Sequence, residues 1–180
     1  MAHQLQGKHV AILATHGFEQ SELTEPKRLL EQWGARTTVV SPAKEGSITG
    51  WKDKNWGDAV SVDKALSEAD ASEFDALVLP GGVINPDNLR TVPEALALIK
   101  QVASAGKPVA AICHGPWLLV DSGLAKDRRL TSWASIRQDL VNAGAEWIDA
   151  EVVEDRGVIT SRKPDDIPAF SQAIAKALAG

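Results

Sequence analysis

The sequence predicts a three-layer α/β sandwich with a mostly parallel central sheet and a small side hairpin. Three observations carry this. Apolar runs of strand length, at His9–Ala14, Asp75–Leu79 and Val109–Ile112, suit strands covered on both faces. Helix-length stretches with apolar stripes separate strand-like runs, which is the β-α-β order of a parallel sheet. The 180 residues suit one ordinary domain, read as spanning residues 1–180, with no repeat, linker or low-complexity segment.

Composition narrows the class. Apolar residues make up 44% and charged residues 24%, as in globular proteins. A net charge of -5 points away from nucleic acid and from anionic membrane surfaces. No apolar run approaches the ~18 residues needed to span a bilayer. Met1–Gln6 lacks the charged and apolar regions of a signal peptide. A single cysteine makes no internal disulfide, so the expected compartment is the cytoplasm.

In chain order, the run at His9–Ala14 is the first strand and Thr15–Gln20 a loop. A helix follows over about Ser21–Trp33, with Leu23, Leu30 and Trp33 as its stripe and Gly34 as its terminator. Thr37–Val40 is the second strand. Gly46–Trp51 and Ala59–Val62 then form the side hairpin, and Asp63 is placed to cap a helical turn. Asp75–Leu79 ends in Pro80-Gly81-Gly82, and glycines at the C-terminal end of a parallel strand sit where α/β folds bind ligands. A helix over about Pro93–Ala105 ends at Gly106. After Gly123 come a helix over about Ser135–Ala143, short strands at Trp147-Ile148, Val152-Val153 and Val158–Thr160, and a hairpin turn at Asp155-Arg156-Gly157. A C-terminal helix opens at Pro164 and runs to about Leu178, with Asp165 and Asp166 as first-turn acids.

The chain is organised around Lys107–Pro116. The strand Val109–Ile112 leads into Cys113, and Gly115–Val120 reads as a helix opening. Strand, nucleophile, helix is the plan of a nucleophile elbow, whose hydrolase form is G-x-S-x-G. Here Ala111 and Gly115 are the small flanks that a sharp turn requires. A helix N-terminus beside the sulfur would favour thiolate and lower its pKa. A lone cysteine after an apolar strand is equally what a buried small hydrophobe looks like. His114 directly follows Cys113. Consecutive side chains point apart, so the pair reads neither as a local Cys–His dyad nor as a zinc site.

Four ordered motifs covering nearly the whole chain resemble the PfpI/ThiJ superfamily, and within it the PfpI-type proteins. They are Phe18-Glu19-x-x-Glu22-Leu23, Phe74–Gly82, Ala111–Pro116, and Asn142–Trp147 with Val152-Val153. The resemblance implies a class I glutamine amidotransferase-like, flavodoxin-like fold. It implies that Cys113 is the nucleophile and that Glu19 is the carboxylic acid meeting its sulfur. His114 matches a triad histidine whose acid comes from a neighbouring subunit. Asp87, the acid of the loop Val83–Asn88, is the candidate, although members more often carry Glu there. Many relatives place a tyrosine where this chain has Trp133. Gly81 and Gly82 with His16 and Trp133 are expected around the substrate, and the N–H groups of Gly82 and His114 are candidates for an oxyanion hole.

The implied activity is intracellular cysteine peptidase action on small peptides, associated with stress protection. The alternative is glyoxalase or protein deglycase action on α-oxoaldehydes such as methylglyoxal. A different class is a redox sensor or chaperone-like protein using Cys113. No cofactor, metal, nucleic acid or membrane is expected, and a homodimer or higher homo-oligomer is.

Overall fold

The computed structural model describes residues 4–180; the part of the Met1–Gln6 reading that concerns residues 1–3 lies outside them. The strands are β1 His9–Leu13, β2 Arg36–Ser41, β3 Ser47–Lys52, β4 Asn55–Ser61, β5 Lys64–Ala65, β6 Ala76–Leu79, β7 Val109–Ile112, β8 Arg129–Leu130, β9 Glu146–Trp147, β10 Val153–Asp155 and β11 Val158–Ser161. The helices are α1 Gln20–Gln32, α2 Ile84–Leu89, α3 Pro93–Ser104, α4 Trp117–Asp121, α5 Arg137–Asn142 and α6 Ile167–Ala179.

Seven strands form one sheet in the order β10-β11-β7-β6-β1-β2-β5. Only the β10–β11 pair is antiparallel, closed by the turn at Arg156 and Gly157, both at positive φ. Strands β1, β6 and β7 are buried throughout, as their unbroken apolar runs require. One face packs with Phe74, Leu98, Ile99 and Val102, and the other with Leu23, Leu30, Phe170 and Ile174. Strands β3 and β4 form the side hairpin, as expected, although its turn is at Asp53-Lys54 and β4 begins at Asn55. A second small pair, β8 with β9, was not legible as a sheet.

Three local expectations change. The segment Val83–Asn88 is not a projecting polar loop, because α2 begins at Ile84. Its Asn85 is fully buried and donates to the carbonyls of Pro80 at 3.0 Å and Gly81 at 3.2 Å, while accepting the Thr15 N–H at 2.8 Å. Asn85 therefore fastens the Pro-Gly-Gly strand end to the β1 loop. The helix after the elbow is also later and shorter than expected. It starts at Trp117 and has 5 residues. Asp63 does not cap a helix; its carboxylate accepts the Val39 N–H. Asp165 and Asp166 are first-turn acids as expected, and Asp166 is in addition buried, taking two nitrogens of Arg162 at 3.0 Å. Among the described residues no helix is long and apolar enough to cross a membrane.

Candidate active site

The C-terminal ends of β1, β6 and β7 meet at one cavity of about 630 Å³. Its lining includes Glu19, Glu22, Gly82, Cys113, His114 and Trp133. Crevices outside the carboxyl ends of parallel strands are the expected ligand position in open α/β sheets.

Cys113 holds φ = 64°, the left-handed region that a non-glycine residue adopts only under constraint. Its N–H donates to the Ser161 carbonyl on β11, and its carbonyl accepts the Trp133 N–H. Gly115 permits the turn because a Cβ there would lie 2.5 Å from the Leu79 carbonyl oxygen. These ties fix the elbow. They also correct the expectation for His114. Consecutive side chains point apart on extended or helical backbone, but the left-handed residue turns them together. His114 Nδ1 lies 3.3 Å from the Cys113 sulfur.

The carboxyl meeting that sulfur belongs to Glu22 rather than Glu19. Glu22, Leu23, Pro26 and Leu30 form the buried face of α1. Glu22 is 0% exposed and accepts the Gly81 N–H on Oε1 at 3.0 Å, while its Oε2 is buried without a hydrogen-bond partner among the described residues. Its carboxyl lies near enough to Cys113 for the two groups to act on each other's charge. Glu19 precedes the first helical turn in an extended conformation, so its half-buried carboxyl reaches the cavity mouth. The i, i+4 spacing of Glu22, Pro26 and Leu30 was the signal for the inward residue.

Burial pushes the Glu22 carboxyl well above the usual carboxylate range, and the neighbouring Glu19 charge adds to it. Burial likewise pushes the Cys113 thiol up, and charge on Glu22 adds to that. The Gly82 and His114 N–H groups act in the opposite sense by donating to sulfur. The Glu22 and Cys113 shifts both favour the protonated forms, and because two adjacent buried anions repel, the pair never loses both protons together near neutral pH. The expected helix N-terminus is not what acts on the sulfur: α4 starts beyond Pro116 and is a single short turn. Burial lowers the His114 pKa, so its ring is neutral near pH 7, and the charge of Asp139 acts against that shift.

The remaining expected residues separate. Gly82 lines the cavity beside Cys113, and its N–H favours charge on the sulfur. Gly81 does not line the cavity; it lies behind the reacting groups, where a Cβ would be 2.6 Å from Glu22 Oε1 and 2.8 Å from the Cys113 Cβ. Trp133 lines the cavity and stacks on His114 with centroids 6.3 Å apart. His16 is directed elsewhere. Its Nδ1 accepts the Thr49 N–H at 3.1 Å, its Nε2 lies 3.5 Å from Glu45, and it lines a neighbouring groove. Asp87 is exposed on α2 and lines no part of the cavity. Among the described residues no carboxylate of the same chain hydrogen-bonds His114. Sequence reasoning gave no role to Glu22, Trp51, Ile84 or Pro164, all of which line the cavity. Among the described residues no group of three or more His, Cys, Asp or Glu could hold a metal ion.

Comparisons with known proteins follow this geometry. The DJ-1/PfpI family matches residues 8–177. The chain is 46% identical over 169 residues to Deglycase TK1284 of Thermococcus kodakarensis, covering 94% of this chain and 98% of that one. It is 42% identical over 165 residues to the Bacillus subtilis protein named "Putative cysteine protease YraA", covering 92% and 95%. General stress protein 18 of the same organism is 41% identical over 168 residues, covering 92% and 95%. Among solved structures, Drosophila melanogaster DJ-1beta superimposes with a TM-score of 0.85 at 30% identity, covering 96% of this chain and 91% of that one.

Proposed function

The chain belongs to the DJ-1/PfpI family, and from that premise we propose that it is a cysteine-dependent enzyme acting on α-oxoaldehydes or their adducts, of the glyoxalase or deglycase type. One observation carries the reading: the Glu22 carboxyl is sealed from water beside Cys113, where burial favours its protonated form. The Cys113 thiol passes its proton to neutral His114, whose Nδ1 lies 3.3 Å away, as the sulfur adds to the aldehyde carbon. The aldehyde oxygen becomes an oxyanion facing the Gly82 and His114 N–H groups and takes the Glu22 proton, giving a hemithioacetal. The Glu22 carboxylate then removes the hydrogen from that carbon as a proton and delivers it to the neighbouring ketone oxygen, giving an enediol. Return of a proton to the former ketone carbon, with loss of the hydroxyl proton from the first, leaves a 2-hydroxyacyl thioester. Water hydrolyses it and restores the thiol. One carbon is oxidised and its neighbour reduced, so no external oxidant or reductant is needed.

A second reading, peptidase action, rests on the 3.3 Å contact of His114 Nδ1 with sulfur. His114 would protonate the leaving amine, and Asp87 of a second subunit would supply its acid in a homodimer or larger ring. Mixing Asp87→Ala and Cys113→Ala subunits would restore peptidase activity if this arrangement exists. We further propose a single domain, a stress-protective role and a location inside the cell, supported by the similarity to General stress protein 18.

The test is methylglyoxal consumption with 2-hydroxy acid formation. Wild type is expected to turn over, Cys113→Ser to lose activity, Glu22→Gln to lose most of it and Glu19→Gln to retain a substantial part. Full turnover by Cys113→Ser, or none by wild type, would overturn the reading; in the latter case Cys113 serves sensing rather than catalysis.

A further inference from the structure

The cavity above Cys113 is far larger than a three-carbon aldehyde requires and falls within the range that holds sizeable ligands. Beyond the reacting groups, its walls are apolar: Trp51, Trp133, Val83, Ile84 and Pro164. These walls are tied down. The Trp51 N–H donates to the Phe18 carbonyl at 2.7 Å, and its ring meets Trp56 edge-on at 5.3 Å between centroids. The Trp133 N–H donates to the Cys113 carbonyl at 2.9 Å, so this wall is tethered to the nucleophile itself. Trp133 is nevertheless 41% exposed, and Val83 and Ile84 are 53% and 37% exposed. The charge of Glu19 on the cavity lining disfavours an anionic group.

Resting on the carbonyl chemistry above, we propose that this wall is a subsite for an uncharged aromatic group attached to the substrate carbonyl. The enzyme then selects aryl-bearing α-oxoaldehydes over methylglyoxal. Aromatic side chains recognise such groups by stacked or edge-on contact together with burial of apolar area, in water-poor surroundings.

Two measurements test this. In wild type, kcat/KM for phenylglyoxal should exceed that for methylglyoxal by about tenfold or more, the scale of discrimination available to an apolar pocket. Trp133→Ala and Trp51→Ala should each reduce that ratio several-fold, while Trp133→Phe should keep most of it. Separately, Cys113→Ser protein should bind 1-phenyl-1,2-propanedione about tenfold more tightly than 2,3-butanedione by calorimetry. The binding arm reads the subsite without turnover. If binding discriminates but wild type turns over neither aldehyde, the subsite stands and the proposed reaction fails. Equal binding of the two diketones, or a kcat/KM ratio unmoved by both alanine substitutions, would overturn the subsite even if methylglyoxal is consumed.

Discussion

His114 follows Cys113 directly in the chain, yet its Nδ1 lies 3.3 Å from the Cys113 sulfur. The left-handed backbone at Cys113 makes this possible, and the same contact sets the first expectation. Burial lowers the His114 pKa, and the charge of exposed Asp139 acts to raise it. A folded pKa below the unfolded value means that the neutral ring contributes stability above about pH 6.5, and that this is lost as pH falls through the folded value. An NMR titration should place His114 below about 6.5, and Asp139→Asn should lower it further. A value above the reference would contradict the burial argument.

Glu22 has the opposite sign. Its folded pKa is raised, so the stability of the protonated form is fully present below about pH 4.5 and is lost as pH rises. Chemical denaturation of wild type and Glu22→Gln should therefore diverge as pH increases from 5 to 8. The glutamine variant should gain relative stability at a rate approaching about 1.4 kcal/mol per pH unit, the slope for one retained proton. Parallel stability curves would mean that Glu22 is not held protonated.

Gly81→Ala should damage the site from behind. The new Cβ would fall 2.6 Å from Glu22 Oε1 and 2.8 Å from the Cys113 Cβ, forcing the two apart. Stability should fall by about 1–3 kcal/mol, the usual cost of overpacking, and Cys113 reactivity should change with it. Wild-type alkylation kinetics in the variant would show that the packing is not this tight.

Asp166 and Arg162 clip the segment that carries Pro164 to the cavity. Asp166 is 1% exposed, but the Arg162 left behind is partly exposed and still paired with Asp149, so Asp166→Ala should cost about 2 kcal/mol, the scale of lost hydrogen bonds to a charged group. Thermal unfolding reads the loss. An unchanged melting temperature would mean that the fork contributes nothing.

The sheet was legible because β1, β6 and β7 are unbroken apolar runs and because glycines punctuate their ends. The elbow was legible from the small flanks of Cys113. Glu22 was not separated from Glu19, since both fall in one acidic motif and only the helix start decides which faces inward. The Cys113–His114 contact depends on one left-handed φ that residue type does not announce. Asn85 looked like a turn residue because its hydrogen bonds go to Pro80, Gly81 and Thr15, which only the folded chain brings near. Trp51 carried no signal, because its role depends on how the hairpin folds over the sheet end.

The central claim is that Glu22 is held protonated beside the Cys113 thiol. The most direct measurement is the pH dependence of Cys113 alkylation in wild type, Glu22→Gln and Glu19→Gln. If Glu22 is already neutral, replacing it with neutral glutamine removes no charge and substitutes a weaker donor. The thiol of Glu22→Gln should then titrate at the same pH as wild type or higher, with Glu19→Gln close to wild type. A fall of more than about one unit in Glu22→Gln, as removal of an adjacent ionised carboxylate would produce, would contradict the account.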